Sequence, residues 1–192
     1  MAGKAKTVRE AGLRRVLRHI KTNDAPERGI AMVQLSFKAG LRACEIAGLT
    51  WEMVLTADRK IAPQLTIESR IAKNGSGRSI PIAQELRYAL LSVHNTTGWP
   101  RTGPVIRSQR GGHMTPRSVV NWFTKLYTET GLEGCSSHSG RRTFITRTAR
   151  LLAHAGGSLK DVQELAGHRA LTTTEGYIEG DRDAQRRLIR LL

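Results

Sequence analysis

Apolar positions along this chain recur mostly at helical spacing. Val8, Leu13, Val16, Leu17 and Ile20 fall on one side of a turn-by-turn repeat, with Arg14, Arg15 and Arg18 between them, which predicts an amphipathic helix. Pro26 suits the first turn of a second helix running to about Ala39, where Gly40 is placed to end it. A short helix is expected around Arg42 to Ala47, closed by Gly48. The pattern changes between Leu65 and Ile82. There Leu65, Ile67 and Ile71 alternate with polar residues, Asn74-Gly75 interrupts, and Ile80 and Ile82 resume, which predicts a β-hairpin with a Gly-rich turn. Further helices are expected from about Ala83 to Val93 and after Thr115-Pro116, the second with Val119, Trp122, Phe123 and Leu126 as its core face. Ser158 with Asp161 forms a capping-box pattern on a helix ended by Gly167, and Thr172 with Glu175 forms another, which places Tyr177 near the N-terminal end of its own helix. The expected fold is mainly α with one small antiparallel β-sheet (α+β).

Composition sharpens this outline in one direction. Lys and Arg number 31 against 16 Asp and Glu, a formal net charge of +15. Such an excess favours a polyanionic partner, and a basic RNA-binding protein would satisfy it as well as a DNA-binding one. Apolar residues make up 39% of the 192 positions, enough for a packed core in one domain. We divide the chain into a basic N-terminal arm or helix, residues 1–25, and a main domain, residues 26–192, with a C-terminal tail. Cys44 and Cys135 are too few and too far apart for a zinc motif, so no metal or cofactor is expected. No apolar run approaches the roughly 20 residues of a membrane span, and no secretory signal is evident. Cytoplasmic residence follows as the expectation, in a bacterial nucleoid or encoded by a phage or mobile element.

The candidate chemistry is concentrated in the last third. His138-Ser139-Gly140-Arg141 puts an imidazole and a guanidinium three residues apart, on one face of a helix. His168 follows a helix-ending Gly167, and Tyr177 comes nine residues later. Arg and His can hold the charge of a phosphate in flight, and a phenol can act as a covalent nucleophile, so these are the parts of a phosphodiester-cutting site. Arg42 lies among Leu41, Ala43, Cys44 and Ile46, a setting that calls for pairing with Glu45, for a buried phosphate site, or for both. Lys73 stands at the tip of the hairpin. Each residue has a plainer reading on its own: a basic helix along a phosphate backbone, an ordinary Arg–Glu pair, a solvated turn lysine, a surface histidine, a half-buried tyrosine. Their joint order is what is specific.

In that order the residues resemble the catalytic domain of the tyrosine recombinase (phage integrase) family, over about Pro26 to Ile178. Gly40-Leu41-Arg42 with Glu45 is similar to the family's first arginine box, Lys73 to its hairpin lysine, and His138 with Arg141 to its His-x-x-Arg box. Gly167-His168 resembles its second histidine, and Tyr177 its nucleophile. The resemblance implies a site-specific recombinase acting on double-stranded DNA by integration, excision or inversion. Tyr177 would attack the scissile phosphate to give a 3′-phosphotyrosyl link and a 5′-hydroxyl. Arg42 and Arg141 would hold the non-bridging oxygens, Lys73 would protonate the leaving oxygen, His138 would help deprotonate Tyr177, and His168 would donate to the phosphate. The tyrosyl ester stores the bond energy, so the resemblance implies neither ATP nor metal. It also implies a tetramer on paired sites, with accessory DNA-bending proteins as further partners.

Two departures from the family pattern, and a tail that fits it, carry expectations of their own. Only a short stretch precedes Pro26 where most members have a separate helical domain, which resembles the short single-domain members. Gly140 and Arg142 replace residues that are often Leu and His, so the Arg141 helix is expected to start later. The tail with Leu188, Leu191 and Leu192 is expected to dock on a neighbouring subunit or on its own core. Two rivals stand beside this reading: a type IB topoisomerase-like relaxing enzyme, which shares the chemistry, and a DNA-binding regulator of the same fold that does not cut. The second would have lost the nucleophile or an arginine, and neither is lost here.

Overall fold

The computed structural model describes residues 5–177 together with positions 186, 189 and 190, and the tail carrying Leu188, Leu191 and Leu192 lies outside them. Eight α-helices and one two-stranded sheet make up the described chain. Helix α1 spans Glu10–Ile20 and buries Leu13, Val16 and Ile20, the stripe that its sequence spacing calls for. Helix α2, Pro26–Lys38, opens with proline in its first turn and is buried along most of its length from Gly29 to Phe37. Gly40 beyond it takes the left-handed φ of 63° that stops the helix. Leu13, Val16 and Ile20 share one core with α2, so the segment before Pro26 packs with the rest of the chain. The backbone N–H of Val8 adds a 2.8 Å hydrogen bond to Thr143 Oγ1.

Helix α3, Ala43–Gly48, is followed by the antiparallel pair β1, Gln64–Ile67, and β2, Arg78–Pro81. Leu65 stands opposite Ile80, and Ile67 opposite Arg78. The hairpin is shorter than the alternation suggested. Ile71 is not in a strand, because its N–H turns back onto the carbonyl of Glu68 and its side chain fills the space that Gly48 leaves open. Helix α4, Gln84–Thr96, runs a turn past Val93. Helix α5, Pro116–Glu129, is capped by Thr115, whose hydroxyl accepts the N–H of Ser118 at 3.1 Å. Its Val119 and Phe123 are fully buried, as the aromatic spacing predicted.

Helix α6, Ser139–Ala155, begins before Gly140 and not later. The glycine makes this possible: a Cβ there would strike Ser36 Oγ and the Phe37 ring, so its absence lets α6 start directly against α2. Helix α7, Leu159–Ala166, has the expected Ser158–Asp161 box, with the Ser158 N–H donating to Asp161 Oδ2 at 2.6 Å, and Gly167 closes it at φ 62°. Helix α8, Leu171–Glu175, starts from Ala170 without the Thr172–Glu175 box, and Tyr177 falls just after its C-terminal end. Most buried side chains form one core through α1–α5 and the hairpin. A small second cluster, Ile145, Val162 and Ala166, joins α6 to α7. No helix among the described residues is long and apolar enough to cross a membrane.

Candidate active site

The site grows from one buried carboxylate. Glu45 in α3 is 0% exposed, a position a charged group holds only when fully partnered. It accepts the Arg42 N–H at 2.8 Å and a weaker contact from Arg42 Nη1 at 3.2 Å. Arg78 on β2 grips the same carboxylate with both ends of its fork, Nη1 to Oε1 at 2.8 Å and Nη2 to Oε2 at 2.9 Å. Burial opposes ionisation of Glu45, but the hydrogen bonds and charge of Arg78, and then of Arg42, outweigh it and hold the carboxyl below its ordinary value.

Arg141 projects from the first turn of α6 and is 2% exposed. Its Nη1 donates to the carbonyl of Gly40 and its Nη2 to the carbonyl of Ala166, both at 2.6 Å. These carbonyls lie at the C-terminal ends of α2 and α7, where backbone acceptors lack helical partners and the helix dipole favours a cation. Burial and then the charges of Arg42 and Arg78 lower the Arg141 pKa, yet a guanidinium stays protonated at neutral pH.

His168 links Arg141 to the end of the chain. Its Nε2 lies 2.9 Å from Arg141 Nη2 and its Nδ1 2.9 Å from Thr174 Oγ1. An arginine can only donate, so Nε2 is the acceptor and the proton sits on Nδ1, given to Thr174. Burial, then the charges of Arg141, Arg42 and Arg78, depress the His168 pKa to about 4, so the ring is neutral at pH 7. The Tyr177 ring stacks on His168 with centroids 5.4 Å apart and planes 26° from parallel. Tyr177 also lines a cleft of about 270 Å³ between the start of α1 and α6, together with Arg9, Arg142, Arg147 and Arg150.

His138, at the N-cap of α6, and Lys73, in the 3₁₀ turn Lys73–Gly75 between the strands, are exposed and join the site through charge. Partial burial, then Arg141, Lys73 and Arg42, lower the His138 pKa. The six sequence-predicted residues are thus brought together in two ways. Arg42, Arg141, His168 and Tyr177 are joined by the Glu45 pair, the α7 carbonyls and ring stacking, and Lys73 and His138 lie near them. No group of three His, Cys, Asp or Glu suited to a metal occurs among the described residues. Arg78 and Thr174 went unrecognised in the sequence. For Arg78 a signal existed: the hairpin register sets it opposite inward-facing Ile67, a phase at which a charge must have a buried partner. Thr174 carried no such mark.

The sequence profile of the phage integrase family matches residues 6–183. Tyrosine recombinase XerC of Actinobacillus pleuropneumoniae serotype 7 (strain AP76) is 32% identical over 168 residues, covering 83% of this chain and 51% of that protein. Tyrosine recombinase XerD of Shewanella oneidensis is 30% identical over 175 residues, covering 88% and 55%. The chain therefore spans about half the length of these relatives. Among solved structures, the XerA recombinase superposes with a TM-score of 0.76 at 19% identity, covering 98% of this chain and 66% of that one. The Tn1549 transposon integrase in complex with a circular intermediate DNA also gives 0.76, at 21% identity, covering 99% and 67%. At these identities the superpositions establish the shared fold.

Proposed function

The chain belongs to the phage integrase family, and from that premise we propose that it cleaves and rejoins double-stranded DNA at specific sites through a phosphotyrosyl intermediate. One observation carries the reading: two guanidiniums, Arg42 and Arg78, share the single carboxylate of Glu45, and a third, Arg141, close enough to feel their charges, is held by the carbonyls of Gly40 and Ala166 and by His168, on which a tyrosine stacks. A surplus of desolvated positive charge calls for an anion, and a phosphodiester beside a phenol is the anion this chemistry fits.

In the proposed step the Tyr177 oxygen forms a bond to phosphorus while the bond to the 5′-oxygen breaks. Arg42 and Arg141 compensate the charge on the non-bridging oxygens. His138, kept neutral by its lowered pKa, accepts the phenolic proton, and Lys73 gives a proton to the leaving 5′-oxygen. His168 has no proton on Nε2 in this arrangement, so it holds Arg141 in place and does not donate to the phosphate. The reverse attack by another 5′-hydroxyl rejoins the strands. The relatives' names, all tyrosine recombinases, favour recombination over single-site relaxation or binding without cleavage. Action as a tetramer on paired sites, with DNA-bending accessory proteins, completes the proposal.

The test is covalent capture in EDTA from nicked duplexes that tile the DNA flanking the protein's own gene. A denaturation-resistant protein–DNA adduct is expected with wild type and lost by at least about a thousandfold in Tyr177→Phe, which removes the nucleophile. DNA binding with no adduct would overturn the cleavage reading.

A further inference from the structure

We propose that Arg78 is the positioning residue of this site, one that the family motifs in the sequence do not include. From β2 it fixes Arg42 through Glu45 and fixes the turn carrying His168 through the Leu165 carbonyl of α7. The inference rests on the recombinase reading above.

Arg78 is well placed to act on both halves at once. Its side chain is 5% exposed. The fork Nη1/Nη2 closes on Glu45, and the remaining Nε donates to the carbonyl of Leu165 at 2.9 Å. The next carbonyl along, Ala166, belongs to Arg141. Two arginines from different elements therefore cap the C-terminal end of α7, directly before Gly167 and His168. Gly167 is adapted to this contact: a Cβ there would lie 3.0 Å from Arg78 Cδ and Nη1, and its φ of 62° excludes most side chains as well.

The consequence for Arg42 follows from competition for one carboxylate. With Arg78 in place, both Glu45 oxygens are already taken by a bidentate donor. Arg42 contributes a single long side-chain contact of 3.2 Å and keeps 16% of its side chain exposed, where a phosphate could reach it. Without Arg78, the buried Glu45 carboxylate would draw the Arg42 guanidinium inward as its only charged partner. The hairpin that carries Lys73 would at the same time lose its tie to α3 and α7. A lysine cannot replace the arginine, because an ammonium lacks the planar fork and the Nε donor.

The experiment compares wild type, Arg78→Met and Arg78→Lys on a nicked duplex captured by wild type, carrying either the natural scissile phosphate or a methylphosphonate. Replacing one non-bridging oxygen by methyl removes the charge that Arg42 would neutralise. Single-turnover adduct formation at saturating DNA is expected to slow on the order of a hundredfold in Arg78→Met on phosphate. On methylphosphonate the gap should shrink to within about tenfold, while DNA affinity changes by less than about threefold. Arg78→Lys, which keeps the buried positive charge, should show the same pattern and carries the test if Arg78→Met fails to fold by thermal melting. Rates equal to wild type, or equal slowing on both substrates, would overturn the assignment and leave only a stabilising role. No adduct from wild type would instead overturn the recombinase reading, and this proposal with it.

Discussion

The two halves of the site rest on very different amounts of core. Arg42, Glu45 and Arg78 stand on the main core, which draws buried residues from α1 to α5 and from both strands. His168 and Tyr177 stand on a cluster whose fully buried apolar members are Ile145, Val162 and Ala166, with Phe144, Leu152 and Leu159 packed partly around it. Arg141 spans the boundary, since α6 begins hard against α2 at Gly140 and contributes Ile145 to the smaller cluster. Groups that hold a phosphate must be set in advance, because each ångström of misplacement lowers the rate steeply. In the proposed reaction the attacking phenol moves toward phosphorus and back, so a lightly packed platform would serve it better than a deep core. Local opening free energy follows buried contacts, and that makes the contrast measurable.

The largest expected effect breaks the comparison if it fails. Leu35→Ala in α2 should lower global stability by about 2–5 kcal/mol, a cost set by lost burial and the cavity left behind. Val162→Ala should accelerate amide exchange in α7, whereas Leu35→Ala should lower the protection of α2 amides and leave that of α7 amides unchanged, the pattern of a small cluster that opens while the main core stays folded. Native-state hydrogen exchange on both variants decides the matter. If Leu35→Ala weakens protection equally in α2 and α7, the two regions form one cooperative unit and the contrast is lost.

Next in size is a pH effect confined to the His168 side. The folded His168 pKa is about 4 against an ordinary value of 6.5, so the unfolded chain binds the proton first. Stability is therefore intact above about pH 6.5 and declines as pH falls toward 4, by about 2–3 kcal/mol for this group. Glu45 acts in a lower window: its pKa is depressed below 4.5, so its contribution persists above that value and goes only in stronger acid. Denaturant melts between pH 4 and 7 in a His138→Gln background, which removes the other lowered imidazole of the site, should show the decline. The decline should be absent when His168→Gln is added, and its persistence there would assign it to another group.

The contrast also explains what was legible in the sequence. Helix α1, helix α2 with Pro26 and Gly40, and the Thr115 cap of α5 are local patterns, and each formed as expected. Tyr177 falls after a helix and not at the start of one because Thr172 and Glu175 match a box by type alone, while Thr174 between them is committed to His168. Gly140 departs from its expected effect for a related reason: a glycine that weakens a helix in isolation here permits its contact with α2. Arg42 with its Glu45 partner and Arg141 are visible as motif members, but the contacts that hold Arg141 and Arg78 run through main-chain carbonyls of Gly40, Leu165 and Ala166. Those are set by where helices end in space and leave no trace in residue type.

The smallest expected effect sharpens the comparison at a single proton. Thr174 is fully buried, and its hydroxyl is the acceptor that keeps the His168 proton on Nδ1. Thr174→Val preserves volume while removing that acceptor, at about 1–2 kcal/mol for the lost bond. The imidazole is then released to place its proton on Nε2, where it faces Arg141 donor against donor and no longer holds it. Ring nitrogen chemical shifts of His168 should report the exchange of tautomers, and adduct formation should slow by about tenfold with DNA affinity unchanged. Thr174→Ser, which restores the hydroxyl, should recover both. If Thr174→Val keeps the Nδ1–H tautomer and the wild-type rate, the Arg141 donation alone fixes the imidazole, and the smaller cluster serves only to carry Tyr177.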